Sequence, residues 1–243
     1  MRNEDGEWVM SGVADSDPSC VHTYDEMVDF VNEAGFIPLF GNEIVGFSLE
    51  DRVNPMYWFS GYERDPWEWR KDAARGREMA YGKFFGGKAG FISLEWLPVF
   101  ISYRRKGYDF DSLWYNGLAQ FRQKKIMEVL TDNPEMHSHL LRKAAGFGKG
   151  GEKNFEGTMA SLQNMLYVVI SDFRQRRNKY GEPYGWDLTV YSRPEKMWGY
   201  GMADAGYALD PMDSYLKIRE RFEELYPRFT EKQFASMIGP EPI

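Results

Sequence analysis

The sequence is poor in the residues that most often announce chemistry. Among 243 residues there is one cysteine, Cys20, and there are three histidines, His22, His137 and His139. A single cysteine excludes an internal disulfide and a structural zinc site built on thiolates. Cys20 has no obvious base near it in the sequence. His137 and His139 are two apart, the wrong spacing for two ligands on one helix face, and Asp132-Asn133-Pro134 just before them reads as a break into a surface loop. No metal and no cofactor is expected. A Gly-x-Ser-x-Gly elbow and a His-Glu-x-x-His helix are both missing, and no Lys-Ser or Lys-Thr completes a phosphate loop after Gly148. No apolar run approaches the roughly 20 residues of a membrane span. The first twenty residues are polar and acidic, unlike a secretory signal. These absences point to a cytoplasmic protein without a membrane partner.

What is present is a core and an uneven charge. Hydrophobic residues make up 43% and aromatic residues 16%, which excludes wholesale disorder. The formal charge is −7, which taken globally argues against a nucleic-acid protein. Taken by segment it does not. Residues 1–66 carry 3 basic and 14 acidic side chains, whereas residues 67–200 carry 22 basic and 15 acidic. An acidic start conceals a basic middle.

The order of elements predicts an α+β, mainly helical fold. Residues 1–20 lack periodicity and read as a mobile tail. Thr23 and Glu26 form a capping-box pattern that opens a helix with the stripe Met27, Val28, Val31 and Ala34, closed by Gly35. Asp65-Pro66 opens another. Residues 79–94 then read as a hairpin turning at Gly86-Gly87-Lys88. The order recurs. A long helix is expected from Asp109 or Asp111 through Leu130, then one over about 137–145, then a third from Asn154 or Thr158 with the stripe Met159, Leu162, Met165, Leu166 and Val169. A long hairpin over 168–191 closes the set. Helices followed by a hairpin wing define the winged helix-turn-helix unit, so tandem units are expected at 21–100 and 101–200. Residues 201–243 add a helical segment, with Tyr215, Ile218, Phe222 and Leu225 docking on the body and Pro227 ending that helix.

In such a unit the third helix enters the major groove and the wing follows the phosphates. Ser161, Gln163 and Asn164 are expected to face solvent on that helix and offer hydrogen bonds to base edges. The wing brings Arg174, Arg176, Arg177 and Lys179 together, as phosphate neutralisation requires. Lys149 and Lys153 flank the glycine loop before the helix, where free N–H groups favour an anion. DNA is the expected partner. The rings from Tyr57-Trp58-Phe59 to Trp67 and Trp69 read chiefly as core, with stacking on an extruded base as the functional alternative. Glu43, Glu50 and Asp51 lie close by as candidate acids or bases.

Tyr81-Gly82-Lys83-Phe84-Phe85, Ala89-Gly90-Phe91-Ile92-Ser93 and Leu94-Glu95-Trp96-Leu97-Pro98-Val99-Phe100, with Glu33-Ala34-Gly35-Phe36-Ile37 ahead of them, resemble segments of AlkZ-type (YcaQ-like) winged-helix DNA glycosylases. The resemblance implies tandem winged helices and excision of alkylated or crosslinked bases, with a Gln-x-Gln or Gln-x-Asp motif positioning the attacking water. The corresponding stretch here is Ile37-Pro38-Leu39-Phe40, with neither glutamine nor acid. The expectation is therefore a DNA-binding relative without standard base excision. Asn42 and Glu43 are the weak candidates for a displaced water-positioning role, so whether the protein is an enzyme stays open. Two alternatives are a winged-helix protein-interaction module without nucleic-acid contact, and a hydrolase of another substrate using Glu43 and the aromatic cleft.

Overall fold

The computed structural model describes residues 9–242. Helix α1 (Tyr24–Ala34) starts where the Thr23 hydroxyl accepts the Glu26 N–H at 3.2 Å. The reciprocal half of the cap falls one residue early, since the Glu26 carboxylate takes the His22 N–H at 2.7 Å. Gly35 closes the helix at φ 90°, and a β-carbon there would strike the Trp96 indole at 2.6 Å, so only glycine fits. Strand β1 (Phe36–Pro38) follows at once. Two 3-10 turns, Glu50–Arg52 and Pro55–Tyr57, lead to α2 (Pro66–Gly76), capped by the Asp65 carboxylate. Strands β2 (Met79–Phe85) and β3 (Lys88–Ser93) form the expected hairpin, and β1 joins β3 to give the antiparallel order β1-β3-β2.

Helix α3 (Leu97–Arg105) runs across the expected division at 100/101. The single long helix expected next is two, α4 (Phe110–Tyr115) and α5 (Phe121–Asp132). Asn116 and Gly117 end the first: the Asn116 amide donates back to the Ser112 carbonyl at 2.8 Å, a local bond that competes with helix continuation. Strand β4 (Glu135–His137), α6 (Ser138–Ala144) and α7 (Phe155–Asn164) precede β5 (Val169–Arg177) and β6 (Pro183–Ser192). Helix α7 stops earlier than its apolar stripe, because Leu166 lies at φ 60° and Val169 already belongs to β5. The second sheet has the order β4-β6-β5, matching the first. Helices α8 (Pro194–Trp198), α9 (Tyr200–Tyr207), α10 (Pro211–Leu225) and α11 (Glu231–Met237) complete the chain, and α10 buries the expected Tyr215, Ile218 and Phe222. The fold is α+β. Among the described residues, no helix is long and apolar enough to cross a membrane.

One apolar cluster runs from Val21 to Ile238. At its centre Phe36 packs edge-on to Phe47, Trp96 and Phe100, and Phe47 meets Phe222 at 4.8 Å between ring centroids. The two sheet units exchange helices: α2 packs on β5 as well as β2, and α7 packs on β2. Charged groups follow these contacts. Arg104 donates to the Phe84 carbonyl at 2.6 Å and to the Asn164 carbonyl at 2.7 Å, while Arg75 reaches Asp172 at 2.6 Å. Arg105 is completely buried and donates to Glu195 at 2.6 Å, to the Tyr207 hydroxyl at 2.7 Å and to the Leu166 carbonyl.

The mobile-tail expectation needs correction for residues 9–20, while residues 1–8 lie outside the described residues. Ser11 donates through its N–H and hydroxyl to the buried Glu50 carboxylate at 2.8 and 2.9 Å, and Asp15 accepts the Tyr57 hydroxyl at 2.5 Å. Polar anchors of this kind leave no apolar periodicity to read.

Candidate nucleic-acid interface

The β5–β6 hairpin, where the wing was expected, has two unequal halves. From Val169 to Phe173 strand β5 is buried, and from Arg174 onward it leaves the body, so residues 174–187 are exposed. The tip is held by Asn178, whose side-chain oxygen accepts the Tyr180 and Glu182 N–H groups at 2.9 and 3.1 Å. Exposed along it are Arg176, Arg177 and Lys179, with Tyr180, Tyr184 and a 92% exposed Trp186 interleaved. The Lys179 ammonium sits 4.9 Å from the Tyr180 ring centroid.

Arg174 is spent differently. It pairs with Asp172 and with Glu135 at 2.7 Å. Burial pushes the Asp172 carboxyl up, but hydrogen bonds from Arg75, Arg174 and the Phe173 N–H outweigh it and hold the group below its ordinary value. Arg174 therefore fixes the base of the wing, whereas Arg176 and Lys179 form no ion pair among the described residues. Arg177 donates to the Gly181 carbonyl at 2.6 Å and stays exposed.

Beside the wing base lies a groove of about 580 Å³ lined by Arg75, His137, His139, Arg174, Arg176 and Tyr184, among others. Pairing of His137 with Val190 across β4 and β6 carries the histidines to this place. Their rings stand 5.6 Å apart, and both Nδ1 atoms are shielded without a hydrogen-bond partner. Burial lowers the pKa of each, helped by Arg174 for His137 and by Arg176 and then His137 for His139. Both are neutral near pH 7 while facing a basic surface. An incoming anion would favour their protonated forms and fill this groove with donors.

Helix α7 departs from the sequence reading at Gln163. That side chain is 1% exposed, accepts the Lys83 N–H at 3.1 Å and donates to the Met159 carbonyl, so it cannot face a duplex. The helix is buried on two faces, one against its own unit and one against β2, and the second face is not visible in a single apolar stripe. Ser161 is exposed and accepts the Gln123 amide at 3.1 Å, while Asn164 is half-buried and its carbonyl holds Arg104. Lys149 and Lys153 are exposed in the α6–α7 connection, outside the groove lining.

The aromatic region splits. Trp58 and Trp69 are core, and half-buried Phe40 and Trp67 make a cluster with exposed Phe59. Arg70 is clamped between Trp67, 3.5 Å from its ring centroid, and Phe173 at 4.4 Å.

These elements span nearly the same residues as a family model described as AlkZ related, which matches residues 21–239. The chain belongs to the AlkZ-related family. No curated protein and no solved structure matches it. In this AlkZ-related chain Ile37 and Leu39 are fully buried, with Ile37 paired to Phe91, and the stretch that the resemblance sets against the family's motif offers no side-chain donor or acceptor. Asn42 is consumed in a turn, its amide donating to the Phe47 carbonyl at 2.5 Å and its oxygen accepting the Ile44 N–H. Glu43 is exposed, and its backbone carbonyl accepts from Gln233. Neither lines the groove beside the β5–β6 hairpin. Of the three acids expected near this stretch, Glu50 is buried, its two oxygens taken by Ser11 and by the Gly41 N–H at 2.8 Å, and Asp51 is half-buried with its carboxylate accepting the Ser48 hydroxyl.

Proposed function

We propose that this AlkZ-related protein binds DNA through the β5–β6 wing and the adjoining histidine groove, without excising bases by Gln-x-Gln or Gln-x-Asp chemistry. The observation that carries the reading is the clustering of Arg176, Arg177 and Lys179 with Tyr180, Tyr184 and Trp186 on one exposed projection. Cations there neutralise phosphates, and rings supply sequence-tolerant stacking to exposed bases. The equal strand orders β1-β3-β2 and β4-β6-β5, each with a hairpin after a helix, support tandem winged-helix units at 21–100 and 101–200, with α3 as a shared strut and 201–243 closing the core. Because Gln163 faces inward, the wing contributes more than the third helix. Lys149, Lys153 and Ser161 serve as supporting phosphate contacts.

Absence of excision follows from the motif position. A water attacking the sugar carbon needs a proton acceptor within about 3 Å, and the apolar Ile37-Pro38-Leu39 supplies none. Fluorescence anisotropy with a labelled duplex at two salt concentrations tests the binding. Affinity should fall steeply with salt, and Arg176→Ala with Arg177→Ala should weaken binding to all sequences alike and reduce the salt slope by about 1 for each phosphate no longer neutralised. Salt-independent binding, or none at micromolar protein, overturns the reading. An alkylated-purine duplex should yield no abasic sites with either the wild type or Glu43→Gln.

A further inference from the structure

The segment ahead of α1 gathers three side chains of different chemistry. Two backbone turns, Asp17 N–H to the Ala14 carbonyl and Cys20 N–H to the Asp17 carbonyl, both 2.9 Å, fold it back on itself. The Asp17 carboxylate locks the second turn through the Ser19 N–H and hydroxyl at 2.8 and 2.7 Å. In consequence a carboxylate oxygen of Asp15, the Cys20 Sγ and an imidazole nitrogen of His22 all lie within 4.8 Å of one another.

Their mutual orientation is informative. His22 Nδ1 is shielded from solvent and faces Asp15 Oδ1 at 3.2 Å. Neighbouring ligands of one metal ion stand in that relation: with bonds of about 2.0–2.1 Å, two nitrogen or oxygen vertices of a tetrahedral zinc are about 3.3 Å apart. Cys20 is buried, and its sulfur meets the carbonyl of the next residue, Val21, at 3.9 Å and the Asn54 backbone, with no side-chain partner. Asp15 is steadied from outside by the Tyr57 hydroxyl and by Arg64 at 3.7 Å, as the carboxylate ligands of metal sites commonly are.

The surroundings favour a cation. A pocket of about 660 Å³ opens beside the three residues, and its carboxylates, Asp15, Asp17, Glu26 and Glu33, face a single arginine, Arg52. We propose that Asp15, Cys20 and His22 form a binding site for zinc(II), with one coordination position left toward the pocket. One sulfur, one nitrogen and one oxygen suit a borderline-soft ion and disfavour magnesium and calcium, which take oxygen ligands. On binding, the Cys20 thiol gives up its proton to solvent and the thiolate bonds the metal. The ion would staple residues 15–22 to one another just ahead of α1. This site stands apart from the wing and does not depend on DNA binding.

The test uses the full chain, stripped with a chelator and titrated with cobalt(II), then zinc(II). The wild type should take up one cobalt per chain with a near-ultraviolet thiolate-to-cobalt charge-transfer band, and zinc should displace it. Cys20→Ser should lose that band, and His22→Gln and Asp15→Asn should weaken cobalt uptake at least tenfold. Zinc should raise the thermal midpoint of the wild type and leave that of Cys20→Ser unmoved, with the far-ultraviolet circular dichroism of the stripped proteins compared to establish that the variants fold. No charge-transfer band in the wild type overturns the assignment. So does equal zinc stabilisation of the wild type and Cys20→Ser. Should Cys20→Ser not fold, the His22→Gln and Asp15→Asn titrations decide, and uptake as tight as in the wild type overturns it.

Discussion

In the hairpin β2–β3 most strand residues are buried, and its turn meets the C-terminal segment at Gly86, where a β-carbon would fall 2.3 Å from the Ser236 carbonyl oxygen. In β5–β6 only the base is buried, and the outer part carries arginines and rings into solvent. Both hairpins follow a helix and occupy the same place in their sheets. One has become an inner wall, with Phe84, Phe85, Phe91 and Ile92 fully buried, and the other a limb. Topology alone therefore does not assign a wing to DNA. The proposed role rests on the length beyond the sheet and on the side chains that this length carries.

The largest contrast is expected in stability. Phe91→Ala removes a fully buried ring packed 5.0 Å from Tyr81 and should cost about 3–5 kcal/mol. Trp186→Ala, on the exposed wing, should stay within about 0.5 kcal/mol while weakening DNA binding. Urea unfolding of both variants checks this, and a large loss for Trp186→Ala would mean that the wing is docked rather than free.

The next contrast is at the turns. Gly86 and Gly181 both sit at positive φ, but nothing lies within 4 Å of a β-carbon on Gly181. Gly181→Ala should cost only the left-handed backbone penalty of about 1–2 kcal/mol. Gly86→Ala should add overpacking of about 1–3 kcal/mol as α11 is displaced. Equal unfolding midpoints for the two would erase the distinction.

The smallest effect is a pH dependence confined to the second unit. His137 and His139 have folded pKa values below the ordinary 6.5, so the unfolded chain binds more protons in that range. Their contribution to stability is complete above pH 6.5 and is lost as pH falls through the lowered values. DNA binding should show the opposite trend, strengthening on acidification as protonated imidazoles meet phosphate. His137→Asn with His139→Gln should flatten both slopes. Unchanged slopes in the double variant would remove the histidines from the interface.

Much of the fold was legible where the signal is local. Thr23, Gly35, Asp65-Pro66 and Gly86-Gly87 mark starts, stops and turns by their own hydrogen-bonding and backbone preferences, and the structure ends its elements there. The break at Asn116-Gly117 was hidden by the apolar residues on either side of it. Gln163 was misplaced because its burial comes from a strand about 80 residues earlier. In the candidate interface, Arg176, Arg177 and Lys179 are visible as a run, and Arg174 looks the same in sequence although Glu135 and Asp172 have claimed it. The histidine groove depends on the pairing of β4 with β6, which no local pattern specifies. The same holds for the meeting of Asp15, Cys20 and His22, where one cysteine and three histidines had read as no metal site at all.

Arg105 has a consequence for the order in which the protein is made. Its guanidinium enters the interior with partners at Leu166, Glu195 and Tyr207, the last of which lies about 100 residues downstream. A buried arginine without its carboxylate is strongly unfavourable. While the chain is being synthesised, α3 therefore has no settled seat until the residues after the second hairpin have left the ribosome. The early half must wait, partly assembled, for the late half to arrive, and its largely apolar first sheet is at its most exposed to chaperones during that interval.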